Sequence, residues 1–315
     1  MKTSILHITN GDSTTNYLKS INLQGDFITW REMLCEGKTE VSVGSEHFWK
    51  SRFEFLKKSY KVTKKQFIDL TLKEYRNLCN HKSQEEIVLW FEYDLFCQIN
   101  MIAVISWLKR YRKGRKISLV CSGEIKGSNK LVGLSELSEK QLKEHYKNKI
   151  ELNLDDIEYA DYVWQLYCSN NPLKIQNVYQ YQQNTTFKYL IDSLLLHLQR
   201  FPSFGNGLNN VENTILDMAV NSNLESEEKL IEAILKQESK LGFGDIQYKK
   251  QINNLKNYFA SFTPVRLNKT GIKVQQQVFN TYANMRNDFA FLGGAKKYNF
   301  LYDNSTQKLL KITSL

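Results

Sequence analysis

Carboxylates recur where the first three apolar runs of this chain end. Ile5-Leu6-His7-Ile8-Thr9 gives way to Asn10-Gly11-Asp12-Ser13, and Phe27-Ile28-Thr29-Trp30 to Arg31-Glu32, with Glu36 close behind. Ile87-Val88-Leu89-Trp90-Phe91 gives way to Glu92-Tyr93-Asp94. Carboxylates gathered at strand ends could hold a hard cation such as magnesium through oxygen ligands, for metal-assisted phosphoryl chemistry. A buried carboxyl could instead keep its proton and serve as a general acid. Glu92 and Asp94 are the strongest pair and the candidate catalytic residues, because residues i and i+2 of an extended chain point the same way. The competing structural reading is an ion-pair network in which Arg31 and nearby lysines neutralise them.

The candidate ligand-binding residues around this pair are Asn10, Asp12, Ser13, Arg31, Glu36 and Gln98. A strand running through Gly11 into a helix can offer free N–H groups to a phosphate or carboxylate; equally, Asp12 or Ser13 could cap that helix. The planar fork of Arg31 could grip a ligand anion or Glu92. Gln98 lies four residues beyond Asp94, one helical turn on. Trp30 and Trp90 flank the same edge and could stack a ring, although aromatic residues there usually fill core. Gly11-Asp12-Ser13 also has the letters of an esterase nucleophile, but a nucleophilic serine needs an oriented histidine base. His7, His47, His81, His145 and His197 include no late Asp-x-x-His pair, so hydrolase chemistry is disfavoured.

These residues need a scaffold that brings the run ends together. Strands at about 4–10, 26–30, 86–92 and 117–121 alternate with helices at about 14–20, 45–58, 63–78, 95–112, 138–147 and 155–169. That alternation predicts an α/β fold with a mainly parallel sheet, whose strand ends share one ligand-binding edge. The second half reads as helices over about 185–200, 211–220 and 226–237, another opened by Gly242-Phe243-Gly244-Asp245, then short strands at 265–267 and 298–302. Helices followed by a small hairpin suggest a winged-helix-like module. The expected domains are 1–178, with the ligand site, and 179–315.

The 315 residues are 42% hydrophobic and 24% charged, an ordinary globular composition that excludes disordered and fibrous classes. Five scattered cysteines point to reduced thiols, with neither a disulfide framework nor a zinc pattern. The start of the chain is too polar for a signal peptide. The longest apolar stretch, 95–108, contains Gln98 and Asn100 and is too short for a membrane span. A cytoplasmic protein without membrane attachment is expected. The net charge of +10 suits anionic partners, although the run Lys109 to Lys116 reads most simply as a solvated helix end.

The words Leu6 to Ser13, Trp30-Arg31-Glu32 with Cys35-Glu36-Gly37, Leu89 to Gln98, Arg200-Phe201-Pro202 with Asn206-Gly207-Leu208, Gly242 to Asp245, and Leu292-Gly293-Gly294 occur in that order. As an ordered set spanning most of the chain, they resemble the bacterial family called domain of unknown function 1835. The resemblance implies an α/β N-terminal domain and a helical C-terminal region; it carries a site location and no chemistry.

The leading expectation is a protein that binds, and could process, a small anionic or nucleotide-like ligand at the strand C-terminal edge, with the C-terminal module covering it. One alternative is a DNA-binding regulator, in which residues 181–315 contact nucleic acid through a recognition helix at about 245–259 bearing Lys249, Lys250 and Lys256. Another is a non-catalytic interaction scaffold.

Overall fold

A computed structural model describes residues 4–125, 131–180 and 186–312. Strands β1 (Ile5–Asn10) and β2 (Asp26–Trp30), the two-residue β3 (Gly37–Lys38), β4 (Glu86–Phe91), β5 (Lys116–Cys121) and β6 (Ile150–Glu151) occupy the first half. Five of them form one sheet in the order β2-β1-β4-β5-β6. Its first four strands are parallel, as the alternation of strand and helix required. The edge strand β6 departs from this and runs antiparallel, Leu119 facing Ile150.

Burial explains why β4 is central: all six residues of Glu86–Phe91 are buried. Ile87, Leu89 and Phe91 enter one core cluster with Leu6, Ile8 and Ile28, while Val88 and Trp90 point to the opposite face among Leu18, Val120 and Leu142. Near-continuous apolar strands of this kind belong to parallel sheets covered on both faces.

Helix α1 (Asp12–Ser20) follows β1. Helix α2 (Glu46–Tyr60), capped by Ser45, is followed by α3 (Lys64–Phe67), a π turn and α4 (Lys73–Asn80). Helix α5 (Leu95–Tyr111) is buried on nearly every side, which accounts for its lack of an amphipathic pattern. It packs against α7 (Leu154–Tyr167); α6 (Glu139–Lys147) covers the opposite sheet face.

In the second half, α8 (Leu190–Leu198) leads to α9 (Asn210–Asn221), α10 (Glu227–Gln237) and α11 (Asp245–Leu255), then to a hairpin of β7 (Phe259–Phe262) and β8 (Val265–Leu267). Residues 186–189 form turns ahead of α8, and Thr185, expected to open that helix, lies outside the described residues. Two short helices, α12 (Lys269–Gln275) and α13 (Tyr282–Met285), precede β9 (Phe291–Gly293), β10 (Ala295–Lys296) and a second hairpin of β11 (Phe300–Asp303) and β12 (Lys308–Lys311).

The halves are joined through a shared core and through backbone pairing. The first core cluster runs without a break from Leu6 to Leu309. Strand β9 pairs in parallel with β3, Gly37 opposite Leu292, so the end of the chain is stitched to the loop after β2. All five cysteines carry free thiols. Among the described residues, no helix is long and apolar enough to cross a membrane.

Candidate functional site

The order β2-β1-β4 places the reversal of strand order between β1 and β4, where open α/β sheets usually leave a crevice for ligands. Here that position is filled by the protein itself. Asn10 donates to the Cys97 sulfur at 3.0 Å and accepts from Asn100 at 2.7 Å. Asp94 is the N-cap of α5, its Oδ1 accepting from the Cys97 N–H at 2.8 Å. Above it sits Gly242, so close that a Cβ there would come within 2.0 Å of that oxygen. Gln98 donates to the Glu92 carbonyl at 2.7 Å, and a Glu92 oxygen accepts from the Leu134 N–H at 2.6 Å.

Burial dominates the electrostatics of this pair. Loss of solvent, reinforced by the neighbouring Asp94 charge, raises the Glu92 carboxyl to about 7. Desolvation also raises Asp94, to about 6, against the pull of its capping hydrogen bonds. Glu92, Asp94 and Cys97 could each turn one ligand atom to within 4.8 Å of the others. Their chemistry suits a cation poorly. Magnesium wants near-octahedral oxygen ligation, whereas this trio offers two protonation-prone carboxyls and a thiol whose burial pushes its pKa well up.

The other acidic end closes on a different partner. Arg31 grips Asp12 bidentately, Nε to Oδ2 at 2.9 Å and Nη2 to Oδ1 at 2.7 Å, and its Nη1 donates to the Leu70 carbonyl. Its fork is therefore spent on Asp12, and Glu92 is not its partner. Neither Asp12 nor Ser13 caps α1, because the N-cap is Gly11 at φ 93° and has no side chain to accept. Ser13 is exposed in the first helical turn. His7 lies buried inside β1, accepting from the Trp90 indole at 3.1 Å while its other nitrogen meets the Gln24 carbonyl. Trp90 is core, stacked on Tyr146.

Open space lies beyond β2, around Glu36. A cavity of about 650 Å³ is bounded by β3, α2, α9, α11 and residues 287–297. Lys38, Lys58, Lys61, Arg200, Lys250 and Lys297 line it, against Glu36, Glu54 and Glu212, and Phe55, Phe289 and Phe291 supply apolar surface. Its volume is that of a small-molecule site, about 300–1,000 Å³.

Buried polar side chains shape the loop that forms its floor. Arg52, wholly buried in α2, donates to Glu32 Oε2 at 2.8 Å and to the carbonyls of Glu36, Lys38 and Met33 at 2.7, 3.1 and 3.0 Å. Asn100 accepts from the Leu34 N–H and donates to the Glu32 carbonyl. The Tyr167 hydroxyl donates to the Leu34 carbonyl, and Arg200 Nη1 donates to the Cys35 carbonyl at 2.6 Å. Four side chains from α2, α5, α7 and the end of α8 thus hold irregular backbone in one conformation. Such over-determined loops position functional groups. Gly37 adopts φ 72°, and a Cβ there would lie 2.3 Å from the Phe55 ring.

Of the candidate ligand residues, only Glu36 lines this cavity. It is buried, bonded to Lys250 Nζ at 2.9 Å and to the Tyr60 hydroxyl. Burial raises its pKa, but the charges of Lys250 and Arg200 and these hydrogen bonds outweigh that, and the carboxyl stays ionised below the usual range. Glu212 meets Lys297 at 3.4 Å and also closes the capping box of α9 with Asn209. Helix α11 turns Gln247, Tyr248, Gln251, Ile252 and Leu255 inward and Lys250 into the cavity, leaving Lys249 and Lys256 exposed.

Arg52, Lys250 and Lys297 carry no local signal in the sequence, since their partners are distant along the chain. Arg200 was legible only as part of the Arg200-Phe201-Pro202 word. Three of the quoted words meet here: Cys35-Glu36-Gly37 and Arg200 form the floor, and Leu292 pairs with Gly37. The chain matches no family model, and no curated protein matches it.

Proposed function

We propose that this protein binds a small anionic, nucleotide-like ligand in the cavity between the loop after β2 and the C-terminal region, and that it belongs with the family its motifs resemble. One observation carries the reading. Arg200 lines the cavity at 4% exposure and forms no ion pair among the described residues. Its guanidinium holds the Cys35 carbonyl and lies over the Phe243 ring, while Glu36, which feels its charge, is already bonded to Lys250 and Tyr60. A buried cation without a carboxylate partner is costly, and a ligand phosphate or carboxylate would complete it. Lys58 and Lys61 add charge at the mouth, and the three phenylalanines offer surface for a ring. In this reading α9, α10, α11 and the β7–β8 hairpin form a winged-helix-like module whose third helix is turned inward to build the site, so it serves as a wall and not as a reader of duplex DNA.

A chemical role for Glu92 and Asp94 is a second reading. It is favoured by one feature: both carboxyls are raised to where a group can exchange a proton near neutral pH.

Thermal melting and calorimetry with AMP, ADP, ATP and pyrophosphate test the proposal. A ligand at a hundred times its Kd should stabilise the fold by about 2.7 kcal/mol. Lys58→Gln/Lys61→Gln should weaken binding without lowering the Tm of the free protein. No shift with any of the four at millimolar concentration would overturn the reading.

A further inference from the structure

The surface beside the cavity mouth carries charge that folding does not use. Lys57, Lys58, Lys61, Lys64 and Lys65 are all exposed within the end of α2 and the start of α3. Among the described residues none of them joins an ion pair, although lysines elsewhere in the chain do: Lys73 pairs with Asp69, Lys143 with Glu139 and Lys229 with Glu232. Two of the five stand where local electrostatics opposes them. Lys64 and Lys65 open α3, whose first turn has no acid, and the positive end of a helix dipole favours anions there.

Lys58 and Lys61 belong both to the cavity and to the shallow groove that runs on past Lys57 to Thr63. At the mouth, Phe289 is 80% exposed, with the Lys58 ammonium 5.3 Å from its ring centroid. The side chains of Asn253 and Asn254, also lining the cavity, make no hydrogen bond among the described residues.

We infer that the ligand is the end of a single-stranded nucleic acid: the terminal nucleotide enters the cavity, a base stacks on Phe289, and the following phosphates run along Lys57, Lys64 and Lys65. The inference rests on the ligand reading above and names its class. The physical match is twofold. Single strands are bound by a basic track combined with exposed aromatic faces, since every base can stack. Free asparagine amides in the cavity lining can pair with the edge of an unstacked base. A mononucleotide would account for the cavity but would leave the lysines beyond it without a counter-charge.

Calorimetry of the full-length chain with ribo-oligoadenylates of two, four and eight nucleotides, over a range of potassium chloride concentrations, provides the test. The expected result is affinity rising at least tenfold from the dinucleotide to the octanucleotide. Phe289→Ala should lower octanucleotide affinity about tenfold. Lys57→Gln/Lys64→Gln/Lys65→Gln should flatten the salt dependence by about 2 in slope, since each phosphate that a lysine neutralises on a single strand contributes about 0.7. These exposed positions lie outside the cavity lining, so AMP affinity should not change. An octanucleotide no tighter than AMP, or a triple variant with an unaltered salt slope, would sink the inference while the mononucleotide reading stands. If neither oligonucleotides nor AMP, ADP and ATP bind, both fall. Retention on phosphatidylserine vesicles, abolished in the triple variant and without oligonucleotide binding, would assign the track to a membrane surface and overturn the inference.

Discussion

Replacing Arg52 by methionine should unfold much of what shapes the cavity. The guanidinium bonds one carboxylate oxygen and three carbonyls, all inside the protein. Without it, Glu32 is left 1% exposed with no cation, and its Oε1 already lacks a hydrogen-bond partner. Removing one member of a buried ion pair costs about 3–5 kcal/mol, a large share of the roughly 5–15 kcal/mol that holds a domain together. The three freed carbonyls add to this unless the loop turns them towards water. Urea unfolding followed by tryptophan fluorescence should therefore show a loss of about 4 kcal/mol. The companion Arg52→Met/Glu32→Met separates the two terms. It removes the orphaned charge along with the guanidinium, so it should recover about half of the loss, the remainder belonging to the carbonyls. Nucleotide binding should stay weak in both variants, because Glu36 and Lys38 ride on the loop. A single variant within about 1 kcal/mol of the parent, or a double variant no more stable than the single, would refute the claim that Arg52 organises this loop through charge.

Three further outcomes can be checked by the same unfolding measurements. His7 and His197 are buried neutral with pKa values pushed below 6.5 by desolvation, so the unfolded chain takes up protons that the folded chain refuses; stability should fall as pH drops below about 6.5, by up to about 1.4 kcal/mol per unit for each histidine. Glu92 has the opposite sign: its folded pKa of about 7 exceeds the unfolded value, so its contribution is present at low pH and lost as pH rises through that window. Glu92→Gln should gain on the parent between about pH 5 and 8, and a difference that does not vary with pH would refute the assignment. Gly37→Ala should cost about 1–3 kcal/mol, since it forces a side chain into left-handed backbone against the Phe55 ring; a neutral effect would mean that α2 yields there.

Much of the α/β half is legible in local residue patterns. Strands β1, β2, β4 and β5 are short apolar or β-branched runs, and α5 follows a capping Asp94, so local chemistry marks them within a residue or two. Strands β3, β6 and β9 are two or three residues long and pair with backbone far along the chain, and the two-residue β10 only folds back beside β9, so no local pattern announces them. The same division runs through the site. The acidic strand ends were visible from residue types, and their placement over one sheet edge followed from parallel order. Their partners were not visible: Asp12 closes on Arg31, Asp94 is spent on its own helix, and Gly242 of a remote segment covers the crevice.

By itself, then, the sequence determined the four main strands and most of the longer helices, that the sheet is mainly parallel, and that Glu36 follows the second strand. Only tertiary structure decided which charges meet. Arg200 reaches Cys35 across 165 residues and Lys250 reaches Glu36 across 214. Hydropathy and spacing record whether a residue is buried within its own element; they do not record which other element buries it. A cavity walled by separate helices and a late strand is a property of that second fact.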